Sequence, residues 1–162
     1  MAQIFLAGGC FWGVAEYFSR LPGVKKAIAG YANGRTEHPT YEEVCYMHTG
    51  HAETVQVVYD PQEISLQTLL EHFFQIINPL SYHRQGNDCG PQYRTGIYYE
   101  TASDQQIAAG VMKTIQAQYP RPLAVELQPL RQFFPAEAYH QDYLKKHPDG
   151  YCHIPREKFP KI

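Results

Sequence analysis

The sequence predicts an α+β protein, a two-layer sandwich with one sheet packed against helices. Three observations lead there. Strand and helix patterns alternate along the chain, and the connecting loops do not demand a uniformly parallel sheet. A length of 162 residues is that of one domain with one core. No repeat, low-complexity run or linker interrupts the chain, so residues 1–162 are expected to form a single domain.

The first element is the short apolar run Ile4-Phe5-Leu6-Ala7, which reads as a buried strand. Gly8-Gly9-Cys10 follows, and then Phe11, Val14, Ala15, Phe18 and Leu21 form the apolar stripe of a helix that Leu21-Pro22-Gly23 closes. Val24 to Tyr31 reads as a second strand, and Asn33 to Thr40 as a turn-rich loop. Tyr41 to Cys45 is long enough for a single helical turn. Glu53 to Tyr59 is the clearest strand, with Val55, Val57 and Tyr59 on one face. Ser65 caps a helix carrying Leu66, Leu69, Leu70, Phe73, Phe74, Ile76 and Ile77, which Pro79 ends.

Ser81 to Gln92 is a polar loop punctuated by Gly86-Asn87-Asp88-Cys89-Gly90-Pro91. Thr95 to Tyr99 is a strand. Ser103 is expected to cap a helix with the stripe Ile107, Val111, Ile115 and Tyr119, and Leu123 to Leu127 to form the final strand. Phe133-Phe134-Pro135 leads into a short helix around Ala136 to Lys146. Pro148-Asp149-Gly150 is a turn signal, so Cys152 is expected on a mobile C-terminal tail, residues 152–162.

Composition excludes several partners. A formal net charge of −2 gives no basis for binding nucleic acid or an anionic membrane surface. Met1-Ala2-Gln3 carries no basic stretch followed by an apolar run, and no segment has the length of a membrane span. A cytoplasmic protein is the expectation. The four cysteines, Cys10, Cys45, Cys89 and Cys152, come without a secretion signal, which brings redox or metal roles forward over structural disulfides. Cys45-x-x-His48-x-x-His51 is the one metal-like spacing, and no second cluster completes a four-ligand site.

Cys10 is the candidate nucleophile. In the first turn of a helix, unpaired N–H groups and the positive dipole end favour a thiolate, so Cys10 is expected to ionise more easily than a free cysteine. Trp12 lies off the core stripe and is free to stand beside the sulfur. Glu53 shares the parity of Val55 and Val57. At the entry end of the strand such a carboxyl is either solvated or, if it faces the core, desolvated, which would raise its pKa and leave it able to donate a proton near neutral pH. A hydrolase built on Cys10 and one of the eight histidines is the competing enzyme reading, although no histidine has a spacing that favours it. A zinc- or peptide-binding module using Trp12 and the Cys45–His51 cluster is the non-enzymatic one.

Gly8-Gly9-Cys10-Phe11-Trp12-Gly13 resembles the signature of the A-class peptide methionine sulfoxide reductases. The likeness continues in Gly30-Tyr31, Pro39-Thr40-Tyr41, Thr49-Gly50-His51-Ala52-Glu53, Arg84-Gln85-Gly86-Asn87-Asp88, Gln92-Tyr93-Arg94 and His140-Gln141-Asp142-Tyr143-Leu144. It implies a ferredoxin-like core with a mixed, largely antiparallel sheet. It also implies reduction of the S epimer of methionine sulfoxide, free or in proteins, with thioredoxin as reductant and no metal or organic cofactor. A monomer is expected.

By that resemblance Cys10 attacks the sulfoxide and Glu53 protonates its oxygen. Tyr41, Tyr93 and Asp88 carry over as further catalytic residues, and Phe11 and Trp12 as the pocket for the S-methyl group. The sulfenic acid left on Cys10 condenses with a second thiol, for which Cys152 is the choice. No cysteine follows Cys152 to relay the disulfide outward, and Cys89 puts a further thiol beside the site.

Overall fold

The computed structural model describes residues 1–161. Its sheet grows from a βαββαβ run: β1 (Ala2–Gly8), α1 (Phe11–Ser19), β2 (Val24–Ala32), β3 (Ala52–Tyr59), the helix Leu66–Ile76, and the strand Thr95–Tyr99. A short helix, α2 (Tyr41–Tyr46), interrupts β2 and β3, so the later elements are α3 (Leu66–Ile76), β4 (Arg84–Gln85), β5 (Asp88–Cys89) and β6 (Thr95–Tyr99). They are followed by α4 (Ala102–Gln116), β7 (Glu126–Pro129), β8 (Phe133–Pro135) and α5 (Tyr143–Lys146). The six-stranded sheet has the order β7-β6-β1-β3-β2-β8. Its inner strands β6-β1-β3-β2 have the ferredoxin-like arrangement, all antiparallel, and only the β6–β7 pair is parallel.

One face of the sheet carries the main core. Ile4 and Leu6 of β1, Val55 and Val57 of β3 and Ile97 of β6 meet Phe11, Val14 and Phe18 of α1 and Leu69, Leu70 and Phe73 of α3. All are buried, as the period of two in the strands and the stripes on the helices require. The opposite face is a smaller cluster, Phe5, Ala7, Ala32, Ala52 and Tyr98, with Leu130 and Phe133 packed against it. No helix among the described residues is long and apolar enough to cross a membrane.

Five local expectations are corrected. The cap of α4 is Thr101, two residues before Ser103, and its hydroxyl accepts the Asp104 N–H at 3.1 Å because the helix already begins at Ala102. Its buried side is Ala108 and Val111, with Ile107 exposed. An i, i+4 row drifts about 40° per step around a helix of 3.6 residues per turn, and Ile107 falls off the packed face. The strand expected over Leu123 to Leu127 starts at Glu126, where the chain first lies beside Gly96. Just before it, the Ala124 N–H is already committed to the Pro79 carbonyl, at 2.7 Å.

The segment after Phe133 is a strand and two short turns of helix in place of one helix. Phe133–Pro135 pairs with Gly30–Ala32, where an edge position tolerates the proline. Asp142 at φ 53° then separates a 3₁₀ turn, Ala138–His140, from α5. The Gln141 amide behaves as a detached peptide unit on the edge of β2. Its Oε1 accepts the Ala29 N–H at 2.9 Å and its Nε2 donates to the Ala29 carbonyl at 2.8 Å. Of the tail expected over 152–162, the described residues are docked, with Ile154 1 % exposed and Phe159 buried against the core, and Ile162 lies outside the described residues.

Candidate active site

Cys10 sits between β1 and α1 as the N-cap residue of α1. Gly9 before it has φ +88°, a turn for which glycine is suited. The sulfur lies beneath the surface, with 7 % of the residue exposed. Burial pushes the Cys10 thiol well above the value of a free cysteine, with the Glu53 charge adding to the rise. The Trp12 N–H, the helix-end donor, pulls it down by less. The expectation of an easily ionised thiol is therefore corrected. A helix terminus contributes about 0.3–1 kcal/mol, up to about 2 when partly buried, whereas full burial can shift a pKa by about 3–5 units. Desolvation outweighs the dipole.

Glu53, the second residue of β3, points into the same space. It is 1 % exposed, and its Oε1 accepts the Phe11 N–H at 3.2 Å. Oε2 is buried and has no protein partner among the described residues. Burial raises its pKa to about 8, against a smaller downward pull from the Phe11 N–H, and the Asp88 charge adds to the rise. The parity of β3 makes Glu53 a candidate for this state against a solvated strand end, and the structure places it in the interior with no salt-bridge cation among the described residues.

Tyr41 and Tyr93 flank this carboxyl. Burial pushes both phenols up, and the Glu53 charge is the next cause for each. Each hydroxyl is thus a proton donor across the physiological range. Tyr41 opens α2, whose capping box is complete: Thr40 Oγ1 accepts the Glu43 N–H and Glu43 Oε1 accepts the Thr40 N–H. Glu137 anchors the same point from the far side of β2. It accepts the Tyr31 hydroxyl at 2.8 Å and the Tyr41 N–H at 3.0 Å. Tyr93 ends a 3₁₀ turn, Pro91–Tyr93. The neighbouring Arg94 holds that turn by donating to the Pro91 carbonyl and to both oxygens of Glu126.

Asp88 lies on the β4–β5 hairpin, close enough for its charge to raise both Cys10 and Glu53. Its Oδ2 accepts the Tyr151 hydroxyl at 3.0 Å. Gln85 pins the hairpin to the end of α3 by accepting the Asn78 N–H and donating to the Asn78 carbonyl.

Phe11 and Trp12 form the apolar wall. Phe11 is 1 % exposed, with the rings of Tyr31, Tyr41 and His140 around it at 5.2–6.3 Å. Trp12 is half-buried and stacks flat on Tyr143 at 3.7 Å and 8°. Its indole N–H donates to His140 Nδ1 at 2.9 Å. That bond puts the remaining proton of a neutral His140 on Nε2, and burial lowers its pKa. Trp12 is consequently clamped and not free, because the His140–Leu144 stretch folds back on α1. His140, Tyr143 and Glu137 were not singled out for a role from the sequence. The first two lie in a stretch that carries the family resemblance, and the spacing of Glu137 gives no signal.

The alternative sites are not assembled. His51 Nδ1 accepts the Gly34 N–H at 3.1 Å and Nε2 donates to the Thr36 carbonyl at 2.7 Å, so both ring nitrogens are spent on the 33–36 turn. Cys45 and Cys89 line a cavity of about 470 Å³ with Arg35 and His48, and neither Cys10 nor Glu53 borders it. His140 spends Nδ1 on Trp12 and His153 spends Nε2 on the Gly8 carbonyl at 2.8 Å, and their other ring nitrogens have no partner among the described residues, so neither is hydrogen-bonded to Cys10 as a hydrolase dyad needs. All four cysteines are free thiols.

A buried thiol beside a buried carboxyl of pKa about 8 suits chemistry in which sulfur gives up an electron pair while a proton is delivered next to it. That is the work of a thiol oxidoreductase. The family model described as peptide methionine sulfoxide reductase matches residues 2–161. Mxr1 of Saccharomyces cerevisiae in reduced form is 35 % identical with a TM-score of 0.88, over 93 % of this chain and 88 % of that one. Methionine sulfoxide reductase A of Corynebacterium diphtheriae is 34 % identical with a TM-score of 0.84, over 95 % and 82 %. Mxr1 in complex with Trx2 matches at 25 % identity and a TM-score of 0.62, over 88 % and 84 %. The chain belongs to the peptide methionine sulfoxide reductase family and is an oxidoreductase of the A class.

Proposed function

We propose that this enzyme reduces the S epimer of methionine sulfoxide, free and in oxidised proteins, by oxygen transfer to Cys10. The observation that carries the reading is Glu53 Oε2, buried, unpartnered and on a carboxyl of pKa about 8. A protonated Oε2 gives its hydrogen bond to the sulfoxide oxygen, which the Tyr41 and Tyr93 hydroxyls also hold. The S-methyl group rests on Phe11 and Trp12.

As the Glu53 proton moves onto the sulfoxide oxygen, the Cys10 sulfur attacks the substrate sulfur. The Cys10 proton passes to the Glu53 carboxylate, which restores the acid. The hydroxyl then shifts from the substrate sulfur to the Cys10 sulfur as the transient S–S bond and the substrate S–O bond break, leaving a sulfenic acid on Cys10 and the substrate as a thioether. Cys10 has given up the electron pair that the sulfoxide sulfur gained. Asp88 helps keep both protons in place until substrate arrives, since its charge disfavours ionisation of Cys10 and of Glu53.

Cys152 then attacks the sulfenic sulfur and water leaves, closing a Cys10–Cys152 disulfide. Thioredoxin is the reductant proposed for it. The likeness to Mxr1, a protein solved bound to Trx2, supports that assignment.

Racemic N-acetyl-methionine sulfoxide with excess dithiothreitol, the two epimers followed separately, tests the reading. Loss of the S epimer alone, abolished by Cys10→Ser, is the expected result. Consumption of neither epimer would overturn it.

A further inference from the structure

The residues around Cys152 form a strap across the nucleophile turn, and its contacts fall on that turn's glycines. His153 Nε2 donates to the Gly8 carbonyl at 2.8 Å, a bond 145 residues apart in sequence. A Cβ at Gly9 would come within 3.2 Å of the His153 Nε2, and one at Gly86 within 3.2 Å of the His153 Cβ. At Gly13, a Cβ would meet Cys152 Sγ at 2.7 Å and Ile154 Cδ1 at 3.2 Å. Ile154 is buried beside it, and Tyr151 ties the other end of the strap to Asp88. Gly13 lies three residues after Cys10, on the same face of the first turn of α1. The thiol packed on Gly13 is therefore poised beside the nucleophile.

We propose that His153 is a positioning residue for disulfide formation: its bond to Gly8 seats the strap on the glycines of the turn and sets the Cys152 thiol against Gly13. This rests on Cys152 being the resolving thiol. The step it assists forms the Cys10–Cys152 S–S bond and breaks the S–O bond of the Cys10 sulfenic acid. The Cys152 sulfur supplies the electron pair and is oxidised, and the sulfenic sulfur is reduced. The departing hydroxide takes the thiol proton and leaves as water. His153 touches neither substrate nor the reacting atoms.

The test is a single turnover without external reductant, in which methionine, dimedone-trapped sulfenic acid and disulfide are each followed in time. In His153→Ala, methionine should form at the unaltered rate while the disulfide forms roughly 10- to 100-fold more slowly, the range a displacement of about 1 Å can cost. Sulfenic acid accumulates in the interval. His153→Gln, whose amide N–H can reach the same carbonyl, should recover most of the rate. Gly13→Ala, which pushes on Cys152 from the other side, should show the same sulfenic acid accumulation.

Disulfide formation at the normal rate in His153→Ala would overturn the proposal. So would an equal fall in both steps that Gln does not rescue. Cys152→Ser run alongside separates the premise from the proposal. If that variant still turns over normally with thioredoxin, Cys152 is not the resolving thiol and both fall. If it stops at the sulfenic acid, only the His153 result decides.

Discussion

Two buried glutamates bear on α1, Glu16 within the helix and Glu53 at its N-terminal end, and their chemistry could hardly differ more. Glu16 is 4 % exposed and Glu53 is 1 % exposed. Glu16 accepts from Arg20 at 2.6 Å and from Lys145 at 2.8 Å. Burial pushes its carboxyl up, but those two cations outweigh it and hold the group below the ordinary carboxylate value. Glu53 has one backbone N–H and no cation, and burial lifts it to about 8. Neither carboxyl meets water, but Glu16 lies just under two partly exposed cations and Glu53 lies deep among apolar side chains, so depth and partners decide together. One glutamate is a charged rivet between α1 and α5, and the other is an acid that keeps its proton.

The largest break in this comparison comes from removing the proton. Glu53→Gln keeps the shape and the Phe11 contact but has no proton to give, so kcat should fall about 10²–10⁴-fold, the usual contribution of a positioned acid. KM should change far less. A pH profile of the wild-type enzyme sharpens the point: activity should decline as pH rises through about 8, where Glu53 loses its proton.

Stability should separate the two residues by sign. The folded pKa of Glu53 is raised, so its contribution is fully present below the unfolded carboxyl value. It declines as pH rises and is gone by about pH 8, at about 1.4 kcal/mol per pH unit in between. Glu16 is lowered, so its contribution is present above the unfolded carboxyl value and is lost as pH falls through its folded one. Denaturant melts of Glu53→Gln against wild type should therefore favour the variant increasingly toward pH 8. Those of Glu16→Gln should show the smallest deficit in acid.

The smallest effect is the loss of Glu16 itself at neutral pH. Its cations remain partly in water, Arg20 at 25 % and Lys145 at 48 % side-chain exposure. Glu16→Gln should thus cost only about 1–2 kcal/mol, short of the figure for a fully buried pair. Because Lys145 belongs to α5, whose Tyr143 stacks on Trp12, the KM for methionine sulfoxide should rise with it. Thermal melting and steady-state kinetics of the same variant check both statements.

Much of the frame was legible in the sequence. The five inner elements from Ile4 to Ile77 follow from local signals: the β3 alternation, the α1 stripe, and the Ser65 cap, which accepts the Thr68 N–H at 3.1 Å. Glu53 was legible because a period of two assigns its face without any knowledge of what covers it. The stretch from Leu123 to Lys146 was not legible. There the chain is shaped by distant backbone, Pro79 for Ala124 and Ala29 for Ala136 and Gln141, and no local pattern encodes such partners. The clamp on Trp12 failed to show for the same reason, since His140 lies 128 residues away.

The sequence by itself determined the α+β class, the strand–turn–helix seat of Cys10 and the apolar setting of Glu53, because each depends on neighbours a few residues apart. Only the tertiary structure decided which charges survive. The Cys10 thiol is raised and not lowered, because desolvation is set by everything packed around the sulfur, and it outweighs the dipole of its own helix. The same holds for Glu16 and Glu53, and for the docked strap that carries Cys152 to Gly13. Periodicity says which way a side chain points, and only the packed chain says what it meets there.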